Sequence, residues 1–313
     1  MWNGESGDRN CGVEERAEGN NSEVCRPLME ESARLTRAAE TPFLGEFPFL
    51  QIYEMTVPLL ELSIEKLREE ELEEARAIQS VMLPAEPLRA GAVRISHEFQ
   101  PVAAVGGDFL DYFELADGSI GLYLGDVSGK GLPAAMYAAL AVGTLRGVHK
   151  TGQSPSAVLA TLNRRLLVQG VPRRYSATQY AVFDPHTAEM HVASAGMLGP
   201  LYLSAEGCRV LEIPGLPPGL FAEAEYDTVT LNLQPGDSIL FCTDGITDAF
   251  NTEDEAFGIS RLQSLCEKGL RIPPRELLGR IFTAVEAFTQ GRQQHDDMAA
   301  AVFHYGLLTA YKS

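Results

Sequence analysis

Between residues 48 and 83 apolar side chains recur every three or four positions: Val57, Leu60, Ile64 and Leu67, then Ala75, Ile78 and Met82 in a second register. That spacing keeps them on one face of a helix and predicts a long linker helix. Pro58 falls inside the stretch and lacks the N–H that a helix interior needs, so the continuous helix is expected to begin near it. The two registers join across the acidic block EEELEE at 69 to 74, where Leu67 to Ile78 and Ile64 to Ala75 are each eleven residues apart. Such a step resembles a stutter in a left-handed coiled coil. Two readings follow: a parallel helix that dimerises through residues 55–83 and carries a signal, or a solvated amphipathic helix packed on its own domain.

After LPAEP at 83 to 87 the period drops to two. Ten β-rich runs follow: AVRISHEFQP, GDFLDYFEL, SIGLYLGDV, ATQYAVFDP, AEMHVASAG, PLYLSA, CRVLEI, YDTVTLNL, DSILFCTD and MAAAVFHY, punctuated by turn strings such as ADGS, DPHTAE and QPGD. Helical runs are predicted at 131–149, 155–169, 258–268 and 273–290. The strands cluster and the helices come in pairs, without a βαβα alternation, so an α+β layered sandwich of two packed sheets is expected. Three segments emerge: 1–47, polar, glycine-spotted and expected to be mobile, with one short helix at PLMEESARLTRAAE; 48–83, the helical linker; and 84–313, the main domain.

Composition narrows the function. With 313 residues, 45% of them hydrophobic, the chain can bury a full core. Its 43 acidic against 25 basic residues give a net charge of -18, which disfavours a nucleic-acid backbone as partner. Five cysteines are widely spaced without a CxxC, arguing against a zinc ribbon or a disulfide framework. No run is apolar for the ~18 residues that a membrane span needs; AAMYAALAVGTL at 134 to 145 comes nearest. The first residues lack the basic-then-apolar order of a signal peptide, so a reduced cytoplasmic setting is expected.

The chemistry lies in aspartates at the ends of apolar runs. Asp126 closes IGLYLGD, Asp244 closes SILFCTD, Asp296 and Asp297 open the last strand, and Asp108 follows two glycines. Taken singly each has a plain structural use: Asp126 and Asp244 as helix caps, Asp296 and Asp297 as a solvated strand edge, the glycines before Asp108 as a bulge. Together, in one domain, they predict a like-charge cluster that cannot stay ionised in low dielectric without a cation. An all-oxygen set calls for Mg2+ or Mn2+ rather than zinc. At the end of its strand Asp126 is followed by Val127, whose backbone carbonyl turns the same way. GDVSGKG is not a phosphate loop, because the four-residue gap and the Ser or Thr after GK are missing.

In order, GGDFLDY, GDVSGKGLPAAM, FCTDGITDAF and HDDMAAAVF resemble the metal-dependent protein phosphatase (PPM) family, in its bacterial SpoIIE/RsbU-like branch, over residues 80 to 305. The lead-in EEARAIQSVMLP is similar to the helical linker of such proteins. The resemblance implies an α-β-β-α sandwich of two antiparallel sheets flanked by helix pairs, with two Mn2+ or Mg2+ ions at one end. It implies that Asp126 bridges both ions, that the Val127 carbonyl contacts one, that Asp108 serves the second through water, and that Asp244 and Asp296 hold the first, with Asp297 beside it. Asp126 and Asp244 would then act catalytically through metal-bound water; Asp111 matches a family position of less defined role. Two departures stand out: Met197 where many relatives carry histidine, and Ser128 where the eukaryotic branch has a candidate acid. His295, beside Asp296, reads as a solvated loop residue.

The activity implied is hydrolysis of phosphoserine or phosphothreonine on a regulatory protein, a STAS-type anti-sigma-factor antagonist, controlled through the linker helix. A signalling pseudophosphatase and a hydrolase of small phosphoesters are the alternatives.

Overall fold

The computed structural model describes residues 48–306, apart from 149–151, 169 and 271. The expected N-terminal segment, with its short helix, lies outside the described residues. Helix α1 (Pro48–Ser80) leads into β1 (Leu88–Ala90), β2 (Val93–Gln100), β3 (Phe109–Glu114) and β4 (Ile120–Val127). A helix pair follows, α2 (Gly131–Val148) and α3 (Pro155–Leu167), then β5 (Ser176–Asp184), β6 (Glu189–Ala195), β7 (Leu201–Ser204), β8 (Gly207–Val210), β9 (Val229–Asn232) and β10 (Ser238–Cys242). One helical turn, α4 (Asp244–Thr247), precedes the second pair, α5 (Gly258–Lys268) and α6 (Pro274–Thr289), and β11 (Met298–Tyr305) ends the described fold. Among the described residues there are eleven strands against the ten expected; the extra one is β1, whose three residues are too few to register as a period.

Two antiparallel sheets carry the architecture, one in the order β1-β2-β11-β10-β7-β8 and the other β3-β4-β5-β6-β9. Between them lies a core that includes Ile95, Leu110, Leu122, Leu124, Phe183, Ile239, Phe241 and Phe303. The neighbours of these residues point the other way, as the period of two requires. Leu240, Cys242 and Val302 pack under α5 and α6, while Tyr123 and Tyr180 pack under α2 and α3 with Ala134, Ala138, Leu159 and Leu162. The α-β-β-α sandwich with two antiparallel sheets is therefore the fold that the motif order implied. Central strands are covered on both faces, which is why β10 and β11 read as continuous apolar runs instead of alternating ones.

Helix α1 contains Pro58 within it, so its start is not set by that proline. Pro58 is solvent-exposed, and water can satisfy the carbonyl that the missing N–H leaves open. Residues 70–80 of the helix belong to the same compact unit as the sheets. Their packed face also differs from the expected register: Leu72, Ala75, Gln79 and Met82 turn inward, whereas Ile78 is 66% exposed. The difference arises because a buried glutamine amide with partners costs less than an unpaired one, and apolar spacing alone cannot register that. Among the described residues no helix is long and apolar enough to cross a membrane.

Candidate metal centre

Strand topology brings the predicted aspartates together. Because β3 and β4 run antiparallel, with Phe109 opposite Gly125, Asp108 at the start of one lies beside Asp126 at the end of the other. In the second sheet β10 pairs with β11, Cys242 opposite Ala300, so Asp244 just past β10 and Asp296 and Asp297 just before β11 reach the same end. Thr243 joins the two sheets there: its Oγ1 donates to Asp108 Oδ2 at 2.8 Å and accepts from the Ala299 N–H at 3.0 Å.

Asp108 is 1% exposed, and its carboxyl is electrostatically coupled to that of Asp126. Burial, then the charges of Asp126 and Asp297, hold the Asp108 carboxyl well above the usual carboxylate range. Burial and the nearby Asp244 charge push Asp126 up to about 7, with Asp296 and Asp297 adding to the effect. Asp244 opens to solvent at the mouth and is raised by partial desolvation and by Asp248 and Asp296. Lys130 Nζ lies 3.4 Å from Asp296 Oδ2 at the rim.

Asp297 has a different set of partners. It is 2% exposed, and its two oxygens accept from the backbone N–H groups of Val102 at 2.8 Å and Gly107 at 2.6 Å, with Asp108 N–H also bonded to it. The carboxylate is thus committed to the loop that precedes β3. Gly106 and Gly107 are required for that approach: a Cβ on Gly106 would stand 2.3 Å from Asp297 Oδ2, and one on Gly107 would stand 2.8 Å from the Val127 carbonyl oxygen. The glycine pair therefore serves close contact on both sides.

Among the described residues no three or more His, Cys, Asp or Glu side chains close on one point. The aspartates instead meet as the neighbouring pair Asp108–Asp126, within electrostatic reach of Asp244, Asp296 and Asp297. Two carboxyls driven to share a proton, in an all-oxygen set with the Val127 carbonyl nearby, fit a hard divalent cation, which would take the place of that proton.

Other residues singled out in the sequence have structural partners. Asp111 is bound by Arg146, Nε to Oδ2 at 2.9 Å, and Arg146 also donates to the Met82 carbonyl at 2.8 Å, which keeps Asp111 out of the aspartate pair. Ser128 locks a turn, accepting from Tyr175 N–H and donating to the Arg173 carbonyl, both at 3.1 Å. His295 stacks edge-on to Phe250, 5.5 Å between centroids. Met197 packs against the inter-sheet core. The sequence reading missed Thr243 and Gln79; the only signal was a lone uncharged polar residue at an element's end. Beside the centre a cleft of ≈ 700 Å³ is lined by Gly245, Phe250, His295, Glu98, Glu286 and Arg292, among others.

The chain matches the family model described as Stage II sporulation protein E (SpoIIE) over residues 116–306. It is 28% identical over 235 residues to the phosphoserine phosphatase RsbU of Bacillus subtilis, covering 74% of this chain and 69% of that one. Two other curated relatives are spanned over only 40% and 45% of their own lengths. Among solved structures, the SiaA-PP2C domain of Pseudomonas aeruginosa superposes with a TM-score of 0.71 at 21% identity, covering 77% of this chain and 98% of that one. RsbX in complex with magnesium superposes with a TM-score of 0.53 at 13% identity, covering 71% and 99%.

Proposed function

We infer the chemistry from the family: the chain belongs to the SpoIIE family, the SpoIIE/RsbU branch of the metal-dependent PPM phosphatases, and is a protein serine/threonine phosphatase. The observation that carries the reading is the Asp108–Asp126 pair at the sandwich end, one carboxyl buried and the other half-buried, with Asp244 and Asp296 reaching the same end from the other sheet. Asp126, Asp108, the Val127 carbonyl, Asp244 and Asp296 would hold two divalent cations, manganese or magnesium. When bound, these ions supply the positive field that a chain of net charge -18 lacks and activate the water that attacks phosphorus.

The chain's own side chains do the positioning. Thr243 holds the Asp108 carboxyl by donating to its Oδ2. Asp297 holds the backbone that delivers Asp108 and leaves its own oxygens on amides, so its role is to anchor rather than to ligate. Lys130, on Asp296 at the mouth, places a positive charge where an incoming phosphate would arrive. The adjoining cleft gives room for the polypeptide on either side of the phosphorylated residue.

The substrate proposed is a phosphorylated STAS-type anti-sigma-factor antagonist in the cytoplasm, where the thiols of Cys208, Cys242 and Cys266 stay free. With Mn2+ present, phosphate is expected to be released from a phosphoserine STAS protein and not from a nucleotide. Phosphate release from the nucleotide alone would select the small-phosphoester alternative, and none from either would select the pseudophosphatase.

In the division proposed, residues 1–47 precede the linker helix of 48–83, and the phosphatase domain occupies 84–313. Leu60, Ile64 and Leu67 stand 62, 56 and 52% exposed along the linker helix, an apolar stripe that supports a homodimer through residues 55–83. Exchanging Ile64 and Leu67 for Glu is expected to halve the mass seen by sedimentation velocity. An unchanged mass would assign the stripe to something other than self-association.

A further inference from the structure

We propose that Gln79 is a positioning residue for the metal centre: it fastens the last turn of α1 to the backbone of Gly106, two residues before Asp108. The proposal rests on the metal-centre reading above and names the contact through which the linker would act on it.

Gln79 is the last-but-one residue of α1 and is only 5% exposed, in a helix segment otherwise dominated by Glu and Arg at the surface. Its side-chain amide satisfies both polar groups of one residue: Nε2 donates to the Gly106 carbonyl at 2.7 Å, and Oε1 accepts from the Gly106 N–H at 3.1 Å. A primary amide that bonds a peptide unit in this way copies one rung of a β-ladder, and both bonds fail together if the helix turns or withdraws. Three residues earlier on the same helix, Arg76 Nε donates to the Ala104 carbonyl at 3.1 Å.

The same loop is gripped from the opposite side by Asp297, through Val102, Gly107 and Asp108. Residues 102–108 are therefore suspended between the helix and β11, with Asp108 at the end of the suspended stretch. Of the two grips, only Gln79 belongs to an element that precedes the sandwich. A signal that unwinds or rotates the last turn of α1 would release Gly106 while leaving the Asp297 anchor and the core intact, so the loop would lose its aim without the domain unfolding.

The test uses the full chain, with Gln79→Ala, the near-isosteric Gln79→Glu, which keeps the acceptor and loses the donor, and Val168→Ala, an exposed apolar residue outside the linker, as control. Loss of a group that orients a ligand typically lowers metal affinity ~10- to 100-fold. Calorimetric titration with Mn2+ is expected to show that loss in both Gln79 variants and not in Val168→Ala. In the metal-free chain, amide hydrogen exchange at Gly106 is expected to accelerate while core amides of β4 and β11 keep their protection. Should Gln79→Ala fail to fold, Gln79→Glu carries the same comparison. Wild-type exchange at Gly106 in a folded Gln79 variant would overturn the proposal, as would unchanged Mn2+ affinity. Neither readout uses turnover, so a wild-type chain that binds Mn2+ but spares phosphoserine defeats the phosphatase reading and leaves this inference standing.

Discussion

Replacing Asp126 by Asn is expected to cut Mn2+-dependent phosphate release by at least about 10³-fold, because it removes the carboxylate shared by the whole cluster. The same change should raise the melting temperature of the metal-free chain above neutral pH. The sign follows from the carboxyl's position: it sits near 7 in the folded chain against an ordinary 3.8, so the native state holds a proton that the unfolded state has already lost. Stability therefore falls as pH rises from about 4 to about 7 and stays low above that. Asn carries no charge and avoids the loss, on the order of 2–4 kcal/mol shared across the coupled pair. Thermal melts of wild type and variant at pH 5 and pH 8, without metal, read the difference. A variant that retains its rate, or that melts earlier than wild type at pH 8, would remove Asp126 from the centre.

Asp297→Ala should act in the opposite direction on stability. It strips the acceptor from the half-buried N–H of Val102, from the buried N–H of Gly107 and from that of Asp108. At about 1–3 kcal/mol for each amide left without a partner, the total is at least about 3 kcal/mol, or a fall in melting temperature of roughly 10 °C. Asp297→Asn should lie between, since it keeps one acceptor oxygen. The measurement separates anchor from ligand: an anchor's loss destabilises the metal-free chain, whereas a ligand's loss leaves that chain unharmed and removes only the increment that Mn2+ adds.

Much of this was legible in the residues. Strands β10 and β11 announced themselves by nearly continuous apolar runs, and each of Asp108, Asp126, Asp244 and Asp296 by its place at a strand end followed or preceded by glycine or turn residues. The order of the four strings then specified the sandwich. What could not be read was the partner of a side chain. Asp296 and Asp297 are adjacent and chemically identical, yet one faces Lys130 at the rim and the other turns into a loop nearly 200 positions away in sequence. Thr243 and Gln79 look like ordinary polar residues, because their worth depends on a peptide group that only the tertiary fold brings near. Ile78 was misjudged for the same reason: apolar periodicity measures which side chains avoid water, not which amides have been given a replacement for it.

The bond from Thr243 to Asp108 spans the space between the two sheets. Half of the aspartates ride on one sheet and half on the other, with Phe183 against Phe303, 5.1 Å between ring centroids, among the contacts that keep the layers apart. The centre thus works as a caliper whose jaws are whole sheets. Side chains far from any phosphate set its gauge, so substitutions in that interlayer filling can retune catalysis while leaving every aspartate in place.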